Sequence, residues 1–339
     1  MRKLLNTLYV TIPNAYLSKD GETVLVRVEQ ETRLRVPIHT LEGIVCVGVV
    51  SMSPPLMGFC AERNVGVSFL SEHGRFLARI QGPIHGNVLL RREQYRRADQ
   101  DTESATLAKS ILLAKIANSR TSLLRAGREH SSETLDRAST QLGQSLRLLA
   151  SAPSLDGLRG VEGDAAQTYF GVFDELILHQ KEEFFFHGRS RRPPLDNVNA
   201  LLSFLYVLLA HDIASALETV GLDPAVGFLH RDRPGRAGLA LDLMEELRPV
   251  LADRLALTVI NRRQVAGNGF SRNESGGVTM NDATRKQVLV AWQLRKQEEA
   301  LHPFLNERIP FGLIPYVQAL LLARCLRGDL DAYPSFIWR

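Results

Sequence analysis

Between positions 162 and 245 stand four side chains whose types and spacing suit metal-assisted chemistry. In LALDLMEELRP, Asp242 and Glu245 are three residues apart, so on a helix both carboxylates project from nearly one face, about one turn from each other. Such a pair can share a cation. The commoner use of such a pair is an acidic exposed face, here with Arg248 as its ion-pair partner. His230 lies upstream in GFLHRDRPGRAG, where Gly and Pro set a loop or helix end before the carboxylate helix. An imidazole beside two carboxylates gives a mixed nitrogen and oxygen ligand set that suits Mn2+ or Mg2+, and a cysteine-free shell argues against structural zinc. The alternative is a histidine simply packed beside Phe228 and Leu229. Glu162, in RGVEGDAAQTYF, is followed by the small residues Gly163, Ala165 and Ala166, which let a second helix come close. A carboxylate in so tight an interface is costly unless paired or metal-bound; the other reading is an acid favoured by a helix N-terminus. Together the four would hold a cation with open positions for phosphate oxygens. That is the geometry of phosphodiester chemistry, in which the cation neutralises charge at phosphorus and stabilises the leaving alkoxide.

These side chains need a helical scaffold. From about Gly86 to Arg327, apolar residues recur at three- and four-residue spacing, as in LAKSILLAKIANSRTSLLRAG and NALLSFLYVLLAHDIASALETV, which predicts long helices. Before them, from Lys3 to about Gln81, Val- and Ile-rich stretches such as TVLVRV and GIVCVGVV are separated by Gly, Asn, Asp or Pro, which predicts strands and turns. The expected fold class is α+β: a small N-terminal β-rich domain over residues 1–85, then a larger all-helical catalytic domain over residues 86–339. A chain of 339 residues is long enough for each to bury its own core. Two segments break the helical pattern. In FFFHGRSRRPPLD, residues 184–196, Pro193 and Pro194 forbid a helix and Asp196 or Asn197 can cap the next one. In RRQVAGNGFSRNESGGVT, residues 262–279, the Gly, Asn and Ser content predicts a mobile loop.

Lys and Arg number 41 against 37 Asp and Glu, a surplus of 4 that is compatible with a polyanionic partner. Basic residues gather at Arg91, Arg92, Arg96 and Arg97, at Arg189, Arg191 and Arg192, and at Arg262, Arg263, Arg285, Lys286, Arg295 and Lys296. Each run also reads as an ordinary solvated face. Arg191, Arg192, Arg262 and Arg263 are candidate DNA-backbone contacts, with Gln94 and Tyr169 as candidates to touch sugar or stack on bases. Cys46, Cys60 and Cys325 are odd in number and lack CxxC spacing, which argues against a disulfide framework and a thiolate metal site. No apolar run reaches the ~18 residues a bilayer span requires, and the N-terminus lacks a signal-like apolar region, so a soluble cytoplasmic protein with no membrane partner is expected.

Taken in chain order, EGDAAQTYF, RRPPLDNVNALLSFLYVLL and GFLHRDRPGRAGLALDLMEELRP resemble the CRISPR-associated endonuclease and integrase family, the larger subunit of CRISPR adaptation. PPLMGFCAERNVGVSFLSEHGRFLARIQGP in the front half is similar too, and the tail YPSFIWR resembles subtype I-C members. The resemblance implies a divalent metal held by a Glu, a His and a later acid, which fall on Glu162, His230 and Glu245. Much of that family has Asp at the last position. The longer Glu245 is taken as the ligand, with Asp242 supporting it from behind or binding a second cation transiently. Also implied are a homodimer formed through the β-domains, a small ferredoxin-like adaptation subunit as partner, and double-stranded DNA, both spacer precursor and repeat, as substrate. The implied reaction is attack of a 3′-hydroxyl on a repeat phosphodiester. Two other functions fit the same residues: a metal-dependent nuclease of branched or damaged DNA without integration, and a non-catalytic DNA-binding scaffold whose acids only form salt bridges.

Overall fold

The structure, a computed structural model, describes residues 7–29, 31–41, 43–63, 65–71, 76–80, 87–152 and 154–338. The Val- and Ile-rich stretches form β1 (Thr7–Val10), β2 (Ala15–Asp20), β3 (Thr23–Val28), β4 (Glu31–Pro37), β5 (Gly43–Val47) and β6 (Val50–Met52). Helix α1 (Pro54–Glu62) follows, then β7 (Gly66–Leu70) and β8 (Phe76–Ile80). The strands make two four-stranded sheets, in the orders β1-β5-β7-β8 and β4-β3-β2-β6. In the first, β1, β5 and β7 run parallel and β8 closes the edge antiparallel. Parallel neighbours need a crossover, and α1 lies in the one between β5 and β7. Pro54 starts that helix and Ser53 caps it by accepting the Leu56 N–H. Leu17, Val24, Ile44, Cys46, Leu56 and Cys60 meet in the core these elements share.

From Val88 onward the chain is mostly helical, as its periodicity predicts. The helices are α2 (Val88–Ala98), α3 (Asp101–Glu129), α4 (Glu133–Ser151), α5 (Leu155–Gly171), α6 (Asn197–Val220), α7 (Gly238–Leu247), α8 (Arg254–Asn261), α9 (Asp282–Gln297) and α10 (Ile314–Arg327). The all-helical expectation needs correction, because β9 (Phe270–Arg272) pairs with β10 (Val278–Met280) and β11 (Glu299–His302) with β12 (Glu307–Pro310). The first hairpin also replaces the mobile loop expected at 262–279. It is pinned to segment 184–196 by the Val278 N–H, which donates to the Pro194 carbonyl at 2.8 Å, and the turn before it is held by the Gly267 N–H donating to Glu183 at 2.8 Å. The Gly and Asn residues there close a turn, in which Asn273 accepts the Gly277 N–H at 2.8 Å.

Asp196 is the cap of α6, accepting the Asn199 N–H, and Gly221 ends that helix at φ +89°. By length and composition α6 is apolar enough to cross a membrane, contrary to the sequence reading; 61% of its most apolar window is buried inside the protein. It packs against α7 and α10 as a core helix. Between α7 and α8 the helix widens over Arg248–Asp253 into π-type hydrogen bonding, where Pro249 has no N–H to offer an ordinary α turn.

The expected domain boundary at 85/86 lies outside the described residues. On either side of it the two parts are packed together, since Val45, Val47 and Leu70 of the first sheet belong to the helical core. Ser68 Oγ meets His211 Nδ1 of α6 at 3.0 Å, and Arg79 pairs with Glu218.

Candidate active site

Helix α7 turns its acids inward: Asp242, Glu245 and Glu246 are all buried, which an exposed ion-pairing face would not be. Asp242 is engaged on every side by the segment that delivers His230. Its Oδ2 accepts the N–H groups of Phe228 at 2.6 Å and Leu229 at 2.9 Å, and its Oδ1 accepts the His230 N–H at 3.0 Å. The same Oδ1 lies 2.6 Å from His230 Nδ1. An ionised carboxylate can only accept, so the imidazole proton sits on Nδ1 and Nε2 keeps its lone pair. That nitrogen faces Glu245 Oε1 at 4.0 Å. The approach needs glycine: a Cβ on Gly227 would stand 2.7 Å from the Gly238 carbonyl carbon and 2.8 Å from Asp242 Oδ2. Arg159 of α5 ties the segment down from the other side by donating to the Leu229 carbonyl at 2.6 and 3.1 Å.

Glu162 arrives from α5, and its carboxylate converges with that of Glu245 on a single point, the Lys115 ammonium of α3. Lys115 Nζ hydrogen-bonds Glu162 Oε1 and lies 2.7 Å from Glu245 Oε2. Glu245 Oε2 is buried, and the Lys115 ammonium offsets its charge there. Glu245 Oε1 is gripped by Arg248 at 3.0 Å. Burial raises the Glu245 carboxyl, but the charges of Arg248 and Lys115 outweigh it and hold the group down at about 2, ionised at neutral pH. Arg248 in turn lies 4.8 Å from the centre of the Tyr206 ring, whose hydroxyl donates to Asp253 at 2.6 Å. A cleft of about 360 Å³ opens beside His230, lined by Ser104, Asp156, Arg159 and Arg231 among others.

Two carboxylates and an imidazole lone pair are a donor set for a hard divalent cation. Among the described residues, no three His, Cys, Asp or Glu side chains form a finished cage. Lys115 holds the point between the carboxylates. The donors themselves fit a metal, because Glu245 turns a buried carboxylate oxygen to the point it shares with Glu162 and His230 Nε2 is oriented by Asp242.

Residues 8–294 match the family profile described as "CRISPR associated protein Cas1". The chain belongs to the Cas1 family. The "CRISPR-associated endonuclease Cas1 1" of Chlorobaculum tepidum is 53% identical over 343 residues, covering 100% of each chain. The "CRISPR-associated endonuclease Cas1 2" of Rhodospirillum rubrum is 53% identical over 347 residues, again covering 100% of each. The fold is shared with a Cas1 protein from Thermotoga maritima, at TM-score 0.81 and 21% identity over 95% of this chain and 97% of that one. It is shared equally with a casposase bound to integration product, at TM-score 0.84 and 21% identity over 98% of this chain and 94% of that one.

Within this Cas1-family fold the DNA contacts read from sequence divide into two groups. Arg191, Arg192, Arg262 and Arg263 are exposed, on segments that the hairpin contacts bring side by side. Gln94 and Tyr169 are corrected. Gln94 is fully buried, donating to the carbonyls of Asp223 and Val226 at 2.8 Å each and accepting the Asp223 N–H at 2.9 Å. Tyr169 is buried with its ring edge-on to Phe170 and Phe173. Helical periodicity puts both on inward faces, which nearness to a basic run in sequence does not reveal. Arg285, Arg295 and Lys296 are buried as well, with Lys296 paired to Asp212 at 2.7 Å. The site residue that sequence reading missed is Lys115. Its signal was a lone charge among Ile111, Leu112 and Ile116, all of them core residues.

Proposed function

We propose that the chain is the metal-dependent endonuclease and integrase of CRISPR adaptation, joining spacer-precursor 3′-hydroxyl ends to repeat DNA by phosphodiester transesterification. The observation that carries this reading is the convergence of the Glu162 and Glu245 carboxylates on one point, with His230 Nε2 beside them. Glu162, His230 and Glu245 would hold Mn2+ or Mg2+. Such an ion, when bound, supplies Lewis-acid stabilisation of charge on the reacting phosphate. The chain's own residues do the rest. Asp242 keeps the imidazole proton on Nδ1, Arg248 keeps Glu245 ionised and aimed, and Arg191, Arg192, Arg262 and Arg263 neutralise and position the DNA backbone. Transesterification exchanges one phosphodiester for another, so positioning and charge neutralisation suffice without an energy source. Hydrolytic cleavage and reversal of joining would use the same groups.

The name of the casposase structure, with its integration product, supports joining rather than cutting alone. A structure named as a Cas6-RT-Cas1–Cas2 complex, at TM-score 0.81 over 99% of this chain and 36% of that one, supports a small ferredoxin-like adaptation subunit as partner. We further assign a homodimer formed through the β-rich part, a cytoplasmic location, and subtype I-C, the last on the tail YPSFIWR. The test is an integration assay on repeat-containing plasmid with Mn2+ or Mg2+ and the small subunit. Glu162→Ala, His230→Ala and Glu245→Ala should each abolish joining while DNA affinity persists. Cutting without joining by the unaltered protein would favour a nuclease of branched DNA, and full activity in all three variants would leave only a scaffold.

A further inference from the structure

Lys115 has no part in the reaction just described, yet it occupies the centre of the site. Its side chain is 13% exposed and that of Glu245 is 5% exposed, so this ammonium and this carboxylate are largely out of water, while Glu162 at 28% is partly open to it. We propose that Lys115 is a built-in counter-cation that shares its position with the divalent ion, so that metal entry requires the lysine arm to withdraw. The inference rests on the metal reading above.

Distances make the two cations mutually exclusive. A hard divalent ion sits roughly 2.0–2.6 Å from its carboxylate oxygens. Lys115 Nζ is 2.7 Å from Glu245 Oε2 and also hydrogen-bonds Glu162 Oε1, which is the region such an ion would fill. Two like charges there would repel strongly in a partly desolvated pocket. Without any cation, however, Glu162 and Glu245 would face each other as like charges, so the lysine keeps the two carboxylates converged and preorganised. Lysine suits this exchange because its ammonium is a point charge on a flexible four-carbon arm. Arg248 could not serve in its place, since its guanidinium is fixed between Glu245 Oε1 and the Tyr206 ring. The apparent metal affinity is then the intrinsic affinity reduced by the fraction of molecules in which the arm has withdrawn.

The test is Mn2+ titration of the full chain, followed by the electron paramagnetic resonance signal of free Mn2+. Lys115→Gln should bind about tenfold more tightly or better, which corresponds to an arm withdrawn in about a tenth of molecules or fewer. Lys115→Arg should bind more weakly than the unaltered protein, because a planar fork grips two carboxylates and releases them less readily. Glu162→Gln should lose most binding. Thermal melting gives a second readout: Lys115→Gln should melt below the unaltered protein in EDTA and recover the difference in Mn2+. Unchanged or weaker binding by Lys115→Gln, or binding by Lys115→Arg as tight as the parent, overturns this inference while Glu162-dependent binding leaves the metal reading standing. Mn2+ binding indifferent to Glu162→Gln overturns both. If Lys115→Gln fails to fold, the Lys115→Arg arm decides alone.

Discussion

Asp242 and Glu245 are one helical turn apart on α7, yet their neighbours give them different tasks. Asp242 accepts three backbone N–H groups and the His230 ring, and has no oxygen left for anything else. Asp242→Asn should therefore leave the fold intact but let the imidazole lose its tautomer and orientation. We expect about 10- to 100-fold less joining activity and a comparable loss of Mn2+ affinity, read from initial rates and the same titration. Glu246, the next residue, is buried on a different face, and burial pushes its carboxyl up to about 7 against hydrogen bonds from Tyr333, Phe336 and Gln318. Its folded value lies above the ordinary 4.5, so its contribution to stability is full below about pH 4.5 and is lost as pH rises through about 7. Glu245 has the opposite sign: held at about 2, it contributes above pH 4.5 and loses that contribution only as pH falls toward 2. Urea unfolding at stepped pH should show stability falling between pH 4.5 and 7, and Glu246→Gln should flatten that fall.

At the scale of elements, the C-terminal tail after α10 is part of the site's support. The Tyr333 hydroxyl and the Phe336 N–H both donate to Glu246, and Asn118 of α3 donates to the carbonyls of Glu246 and Phe336 at 2.8 Å each. Trp338 lies between the guanidinium groups of Arg125 and Arg254, at 3.5 and 4.6 Å from its ring centre. The tail thus clamps α3 to α7, the helices that carry Lys115 and Glu245. Removing residues 333–339 would strip two donors from a buried carboxyl and should cost about 3 kcal/mol or more. A lowered melting temperature, with a parallel loss of Mn2+ affinity from a loosened α7, is the expected result. The sequence offered the tail only as a family likeness, because the function of an irregular segment depends on partners far away in the chain. The helices around it were legible from periodicity, whereas the two hairpins were not, since strands of three or four residues carry too little pattern.

For the whole molecule, a formal charge of only +4 makes distribution decide DNA binding. Three basic residues that looked available, Arg285, Arg295 and Lys296, are buried inside the protein, which leaves the exposed arginines of segments 184–196 and 262–279 as the stronger candidates. The pair Arg191→Ala and Arg192→Ala should weaken DNA binding and lower the slope of log affinity against log salt by about 2, one for each phosphate no longer neutralised. Fluorescence anisotropy over a salt series measures this. Saturating DNA should restore near-normal joining, unlike any substitution at Glu162 or His230.

By itself the sequence determined the β-rich start, the helical remainder, the identity of the acids and histidine, and the family, because periodicity and residue order are local properties. Only the tertiary structure decided which of those side chains meet. Burial turned Gln94 and Tyr169 inward, gave Asp242 to His230, and set Lys115 between Glu162 and Glu245, which lie 47 and 130 residues further along the chain. The physical reason is that an ionised group's role depends on the charges and dipoles within a few ångströms, and in a folded chain those come from residues distant in sequence.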